Sequence, residues 1–326
     1  MTMPAGGLYT LRGMALLTLN NVGLRRGGKW ALWDVCLEVE PGEIAVVFGR
    51  SGSGKTSLAR VVAGLEQPTS GSVFPDPTDG LAGIPHRLVS LASERPAYAP
   101  ELTVYENLDA FAALWGTPRA KRAKQITSLL ELLGLADRRA AVTAGLNPGA
   151  LRRFEIARAL TADCPLIVID SLLDGLDPDV FERLWEHLLA LRRSGTRSVL
   201  AATASAKVAE TAGRTAVLHR GRVVFDGSPD NLRRLAGEDV VVMGGVEDPS
   251  ARDRIRDRFS LVIREEDGFL SFRTAGGERI ASDLLAEFGS EVSCVYLKRP
   301  TLDDALDALA GGAPEVTASA APKEAQ

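Results

Sequence analysis

From about Ala15 to Ser228, strand-like apolar runs alternate with segments patterned like helices. That order is expected of an α/β domain built on a largely parallel sheet. Between about residues 98 and 162 the strand-like runs give way to helical spacing. In KRAKQITSLLELLGL, for example, Ile126, Leu129, Leu130 and Leu133 fall on one helical face. This stretch is expected to form a helical subdomain inserted into the α/β core.

A different rhythm begins after DGSPDNL. DVVVMGG, ARDRIRDRF, SLVIREE, FLSFRTA, RIASDLLAEF and EVSCVYL read as β-α-β-β-α-β, a ferredoxin-like order. TLDDALDALAG adds a closing helix. The expected organisation is an N-terminal extension over 1–14, an α/β domain over 15–228, a linker over 229–238, an α+β domain over 239–312 and a tail over 313–326. The tail, APEVTASAAPKEAQ, is rich in Ala, Pro and Ser and is expected to be disordered.

With 326 residues the chain can hold both domains and bury a sizeable core. The formal net charge of -4 gives no reason to expect nucleic acid as a partner. Cys36, Cys164 and Cys294 are widely scattered, which suggests neither a disulfide framework nor a zinc site. A reducing cytosol fits. No apolar run approaches the ~18 residues of a membrane span, and MTMPAGGLYTLRGM lacks the charged-then-apolar order of a secretory signal. Service to a membrane would run through a partner.

The strongest chemical signal lies in EIAVVFGRSGSGKTSLARVVAGL, an apolar strand, a glycine-rich turn and a helix opening at Lys55. It matches G-x-x-x-x-G-K-[ST] through Gly49, Gly54, Lys55 and Thr56, with Gly52 between them. Glycines let successive backbone N–H groups curl around a β-phosphate where side chains would obstruct them. The helix N-terminus adds its dipole. The candidate nucleotide-binding set is Gly49, Arg50, Ser51, Gly52, Ser53, Gly54, Lys55, Thr56 and Ser57. Lys55 would reach the β- and γ-phosphates, and the Thr56 hydroxyl would ligand magnesium. In PLIVID an apolar strand ends in Asp170, whose carboxylate would hold that ion through water.

Taken together, these features resemble the ATP-binding subunit of an ABC transporter over nearly the whole chain. LNPGALRRFEIARAL occupies the place of that family's LSGGQ signature and its helix, and GLDP resembles its D-loop. PAYAPELTVYENL is similar to the stretch after its Q-loop, and TAVLHRGRVVFDGSPDNL to the end of its domain. The unit ending LKRPTLDDALDALAG resembles the small domain of exporter ATPases of the daunorubicin-resistance type. The resemblance implies a P-loop NTPase core with an inserted helical subdomain, and ATP and Mg2+ as cofactors. It implies dimers that sandwich two ATP molecules, each between one subunit's phosphate loop and the other's signature. Transmembrane subunits would be driven by the dimer, which places the chain in the cytoplasm, peripheral to the inner face of the membrane. Glu94 falls at the Q-loop position and completes a metal set of Thr56, Asp170 and Glu94.

The departures from the family pattern cluster around the γ-phosphate. Ser171 stands where the family has its catalytic Glu, and a hydroxyl cannot take a proton from water near neutral pH. Such a base contributes ~10²–10⁴-fold. Ala204 stands where the family has a His contacting the γ-phosphate, and alanine offers no side-chain hydrogen bond. None of His86, His187 and His219 falls at that strand end. In LNPGA, Pro148 removes one backbone donor, although Asn147 and Pro148 suit a helix start. The adenine platform falls on Arg26, with Trp30 as the alternative.

No catalytic residue is therefore assigned. The leading expectation is a subunit that binds Mg-ATP but hydrolyses it poorly, paired with a second, catalytically competent ABC ATPase subunit. Two other readings stay open: a regulatory or scaffold protein that uses ATP binding as a switch, and a working ATPase that recruits Glu94 or Asp174 as its base.

Overall fold

Two antiparallel strands, β1 (Leu17–Arg26) and β2 (Lys29–Val39), open the fold. Gly27 and Gly28 join them with φ of 55° and 77°, the left-handed pair that a two-residue hairpin of this twist requires. β3 (Ile44–Phe48) and α1 (Lys55–Val62) follow, and β4 (Ser70–Phe74) then pairs with β1 in a three-stranded sheet ordered β2-β1-β4. The computed structural model describes residues 15–74, 88–95, 97–195, 197–246, 248–259, 264–266 and 269–312. The expected extension over 1–14, the tail over 313–326 and His86 lie outside the described residues.

The larger sheet is the parallel one that the sequence pattern predicts. β5 (Val89–Ala92), β6 (Leu166–Asp170), β7 (Ser198–Thr203), β8 (Arg214–His219) and β9 (Arg222–Gly227) join β3 in the order β5-β6-β7-β3-β8-β9. All neighbours are parallel except the β8–β9 hairpin. β3, β6 and β7 are buried at every position. Strands covered on both faces read as unbroken apolar runs. The separate antiparallel sheet is an addition to what the pattern predicts. Much of β2 alternates buried and exposed residues, as a strand covered on one face does.

Between β5 and β6 lie α2 (Val104–Leu114), α3 (Arg119–Leu132) and α4 (Pro148–Thr161), the expected helical subdomain. Thr103 and Glu106 form a capping box that starts α2. Ile126, Leu129, Leu130 and Leu133 are buried. α5 (Pro178–Arg193) leads from β6 to β7, and α6 (Ala206–Glu210) from β7 to β8.

The chain divides into two compact units between Ser228 and Pro229. The second unit starts with α7 (Pro229–Leu235), in the stretch expected to serve as a linker. Pro229 suits a first helical turn, and Leu232 is fully buried. The rest runs β10 (Asp239–Gly244), α8 (Pro249–Phe259), β11 (Arg264–Glu266), β12 (Phe269–Thr274), α9 (Gly277–Phe288), β13 (Cys294–Lys298) and α10 (Leu302–Gly312). The strand and helix order is the one the sequence predicts, with residues 260–263 outside the described set. Its sheet is wholly antiparallel, ordered β11-β12-β10-β13, over a core including Val241, Met243, Ile255, Leu270, Phe272 and Leu284. α7 packs against α10. Among the described residues no helix is long and apolar enough to cross a membrane.

Candidate functional site

β6, β7 and β3 run side by side and parallel, so Asp170, Thr203 and Phe48 reach the same edge of the sheet. Ligands of open parallel sheets bind beyond such an edge. From Phe48 the chain enters the glycine loop, and the Gly49 N–H donates to the Thr203 carbonyl (3.2 Å). A Cβ on Gly49 would lie 2.3 Å from the Leu218 carbonyl oxygen, and one on Gly54 would lie 2.6 Å from that of Ala31. Backbone packs too closely there for any side chain. Gly54, with φ 111°, caps α1.

Lys55 is buried at the start of α1 and donates to the carbonyls of Gly49 (2.6 Å) and Arg50 (2.8 Å). Burial draws its ammonium below the ordinary lysine range, and the charges of Asp174 and Asp170 oppose that shift. Thr56 donates its hydroxyl to Asp170. Burial pushes the Asp170 carboxyl above its ordinary range, while hydrogen bonds from Thr56 and Ser171 pull it back. The Ser53 hydroxyl is buried without a hydrogen-bond partner among the described residues.

A cavity of about 860 Å³ opens over this loop. Ser51, Gly52, Gly54, Lys55, Thr56, Ser57 and Glu94 line it. Gly49, Arg50, Ser53 and Asp170 are not among its lining residues, although Asp170 is hydrogen-bonded by Thr56 and Ser171, which are. Glu94 is exposed, 4.0 Å from Arg152, and its charge is felt at Asp170. The three candidate metal ligands therefore gather at one place.

Gly28, Lys29, Trp30, Ala31, Arg220 and Gly221 also line the cavity. Trp30, not Arg26, presents the planar group. Its ring carries the Arg25 guanidinium at 4.6 Å and meets the Trp33 ring at 4.5 Å in a T-shaped contact. Arg26 is absent from the lining, since it forks onto Glu66 (Nε to Oε2, 3.1 Å). In the hairpin Trp30 pairs with Arg25 and Arg26 with Lys29, so Trp30 and Arg26 belong to successive pairs, which sequence counting does not resolve.

Ser171 and Ala204 both line the cavity. Ser171 has φ 59° and donates its hydroxyl to Asp170 Oδ1 at 3.3 Å. Asp174, expected only as an alternative base, lines the cavity with them. Asp174 accepts from the Thr203 hydroxyl and from the Ala204 N–H (2.9 Å), and its own carbonyl accepts from Arg152 (2.7 Å). At the start of α4, Asn147 accepts from the Ala150 N–H (2.8 Å) and Pro148 has none to give. Two of the first helical positions thus present no N–H outward.

The donor set fits a magnesium nucleotide: a buried ammonium, a loop too tight for side chains, and a hydroxyl paired with a carboxylate. ABC ATPase domains bind ATP, generally with Mg2+. Residues 32–173 match the family model described as ABC transporter. The chain is 30% identical over 302 residues to the Nod factor export ATP-binding protein I of Cupriavidus metallidurans, covering 91% of this chain and 98% of that protein. It is 34% identical over 210 residues to the methionine import ATP-binding protein MetN 2 of Burkholderia mallei, and spans 53% of that protein's length. Among solved structures, an ATP-binding subunit of an ABC transporter aligns with a TM-score of 0.59 and 26% identity, over 67% of this chain and 92% of that one. A dimeric bacterial ABC transporter cassette aligns with a TM-score of 0.57 and 25% identity, over 65% and 98%. By the length of these matches, the chain belongs to the ABC transporter family as an ATP-binding subunit.

Proposed function

We propose that this subunit serves an exporter, binds Mg-ATP and hydrolyses it poorly, as the weakened half of an asymmetric ATPase dimer. The observation that carries this reading is the cavity lining. An intact phosphate loop faces Ser171, whose hydroxyl cannot take a proton from water near neutral pH, and Ala204, which has no side-chain donor for a γ-phosphate. The loop from Gly49 to Ser57 would cradle the phosphates, and Thr56, Asp170 and Glu94 would hold the magnesium. Trp30 would stack on the base, its other face already backed by Arg25. Asp174 lines the cavity, but both its oxygens are engaged in bracing the end of β7.

Export is favoured because the exporter relative matches over 302 residues, long enough to take in most of both units, whereas the importer matches over 210. The second unit's strand order β11-β12-β10-β13 supports a ferredoxin-like domain of the daunorubicin-resistance type. Transmembrane subunits and a competent second ATPase would complete the assembly at the cytoplasmic face of the membrane. In it, this chain's loop would face an intact signature, and the partner's loop would face LNPGA, which keeps a helix dipole but fewer N–H groups.

Titration with Mg-ATP should show binding that Lys55→Ala lowers by at least tenfold, as expected when a charge-assisted contact worth ~1.5–3 kcal/mol is lost. Phosphate release by the purified chain should be close to background. In the reconstituted complex, removing the partner's catalytic Glu should stop turnover. Robust release by this chain alone, abolished by Lys55→Ala, overturns the poor-hydrolysis reading. A native complex with two copies of this chain and no other ATPase overturns the asymmetric one.

A further inference from the structure

One turn touches both the phosphate loop and the strand that carries Trp30. β8 and β9 are joined by Arg220 and Gly221, at φ 46° and 79°, the left-handed pair that a two-residue hairpin favours. The Gly221 N–H donates to the Ser53 carbonyl of the loop (2.8 Å), and the Gly221 carbonyl accepts from the Trp33 N–H of β2 (2.8 Å). A Cβ on Gly221 would lie 2.7 Å from the Ala31 carbonyl oxygen. The turn is thus pinned on both sides, and Arg220, an exposed residue, lines the cavity from it.

Charge is unevenly placed along the lining. Its carboxylates, Glu94 and Asp174, stand toward Ser171 and Ala204, and Arg152 lies beside both. Around Trp30 the lining residues include Lys29 and Arg220 and no carboxylate. Lys55, the remaining cation of the lining, is held at the loop by the Gly49 and Arg50 carbonyls. A nucleotide with its base at Trp30 and its later phosphates at Lys55 and Thr56 passes the turn with its ribose and first phosphate. We propose that Arg220 is a nucleotide-binding residue, its guanidinium pairing with the phosphate nearest the ribose, so that it strengthens binding of mono-, di- and triphosphates alike. This rests on the nucleotide-site reading above and deepens it. Lys55 serves the later phosphates, whereas Arg220 serves the one that every adenine nucleotide shares. The pinned glycine fixes the root of the arginine, so only the arm has to be ordered on binding.

The test is calorimetric titration of the full chain with AMP, ADP and ATP, and with adenosine as the probe that lacks a phosphate. Arg220→Asn removes the cation and suits the left-handed turn position, while Arg220→Lys keeps the charge. Arg220→Asn should weaken all of the nucleotides by one common factor and leave adenosine unchanged. That factor is roughly three- to tenfold, as for a charge-assisted contact made by an exposed side chain. Arg220→Lys should keep most of the wild-type affinity. Unchanged nucleotide affinities in Arg220→Asn, with a native-like melting transition, overturn the proposal. So does a loss confined to ATP, which would put Arg220 at the last phosphate, or an equal loss for adenosine, which would make it a prop for Trp30. Failure of the wild type to bind any nucleotide, or ATP binding indifferent to Lys55→Ala, overturns the site reading instead.

Discussion

Asp170 is a carboxylate in a place that suits a neutral group. It is 3% exposed, and burial outweighs the hydrogen bonds from Thr56 and Ser171, so its folded pKa lies above the ordinary value. The sign follows. A raised acid favours folding while protonated, below about pH 4, and that contribution is lost as pH rises through the folded pKa. Asp170→Asn should therefore raise the melting temperature of the nucleotide-free protein by a few degrees at neutral pH and lose that advantage in acid. Thermal melts at pH 3.5 and pH 7.5 would show it, and an equal shift at both would refute it. A site residue that costs stability is common where function needs the charge. Lys55, Thr56 and Asp170 were legible in the sequence because each follows directly from a strand end or helix start. Trp30 and Asp174 entered only as alternatives, since their places depend on a hairpin's turn and on a hydrogen bond across to β7.

Among the helices, α4 shows how an element ties the site to the rest of its unit. Glu155 and Arg158 are both buried and pair at 2.8 Å. Glu155 also accepts from the Ala97 N–H (3.2 Å), and Arg158 donates to the Leu91 carbonyl (2.9 Å), so α4 grips both sides of Glu94. Breaking a buried pair leaves an uncompensated charge, which costs ~3–5 kcal/mol. Glu155→Ala should lower the first unit's stability by about that much in urea denaturation, and Glu155→Gln by less, because the amide oxygen can still serve Ala97. Equal losses would mean that the ion pair and not the Ala97 contact carries the effect. The helical period exposed α3 and α4 to sequence reading. It could not reveal that Glu155 faces inward, because a charged residue on a helix is read as solvent-facing by default. The three-stranded sheet stayed hidden for a similar reason: pairing partners far apart in the chain leave no local mark.

At the scale of the molecule, the boundary at Ser228 and Pro229 separates a unit that carries the candidate site from one that carries none of its lining residues. Sequence rhythm places the second core well, because its strands and helices are short and cleanly alternated. It misjudges the segment before that core, where one buried leucine is enough to anchor a helix. That helix has a wider meaning. α7 and α10 are the first and last elements of the second unit, and they pack on one another. The unit is thus closed by its own ends, like a bead whose two holes lie side by side. A bead of this kind can be threaded into a chain or removed from it without cutting through a core. The fragment 229–312 should accordingly fold alone, giving dispersed amide resonances and a cooperative melt, and should lose both when shortened to 239–300. Such portability would let one ancestral ATP-binding unit circulate among transporters with the module or without it.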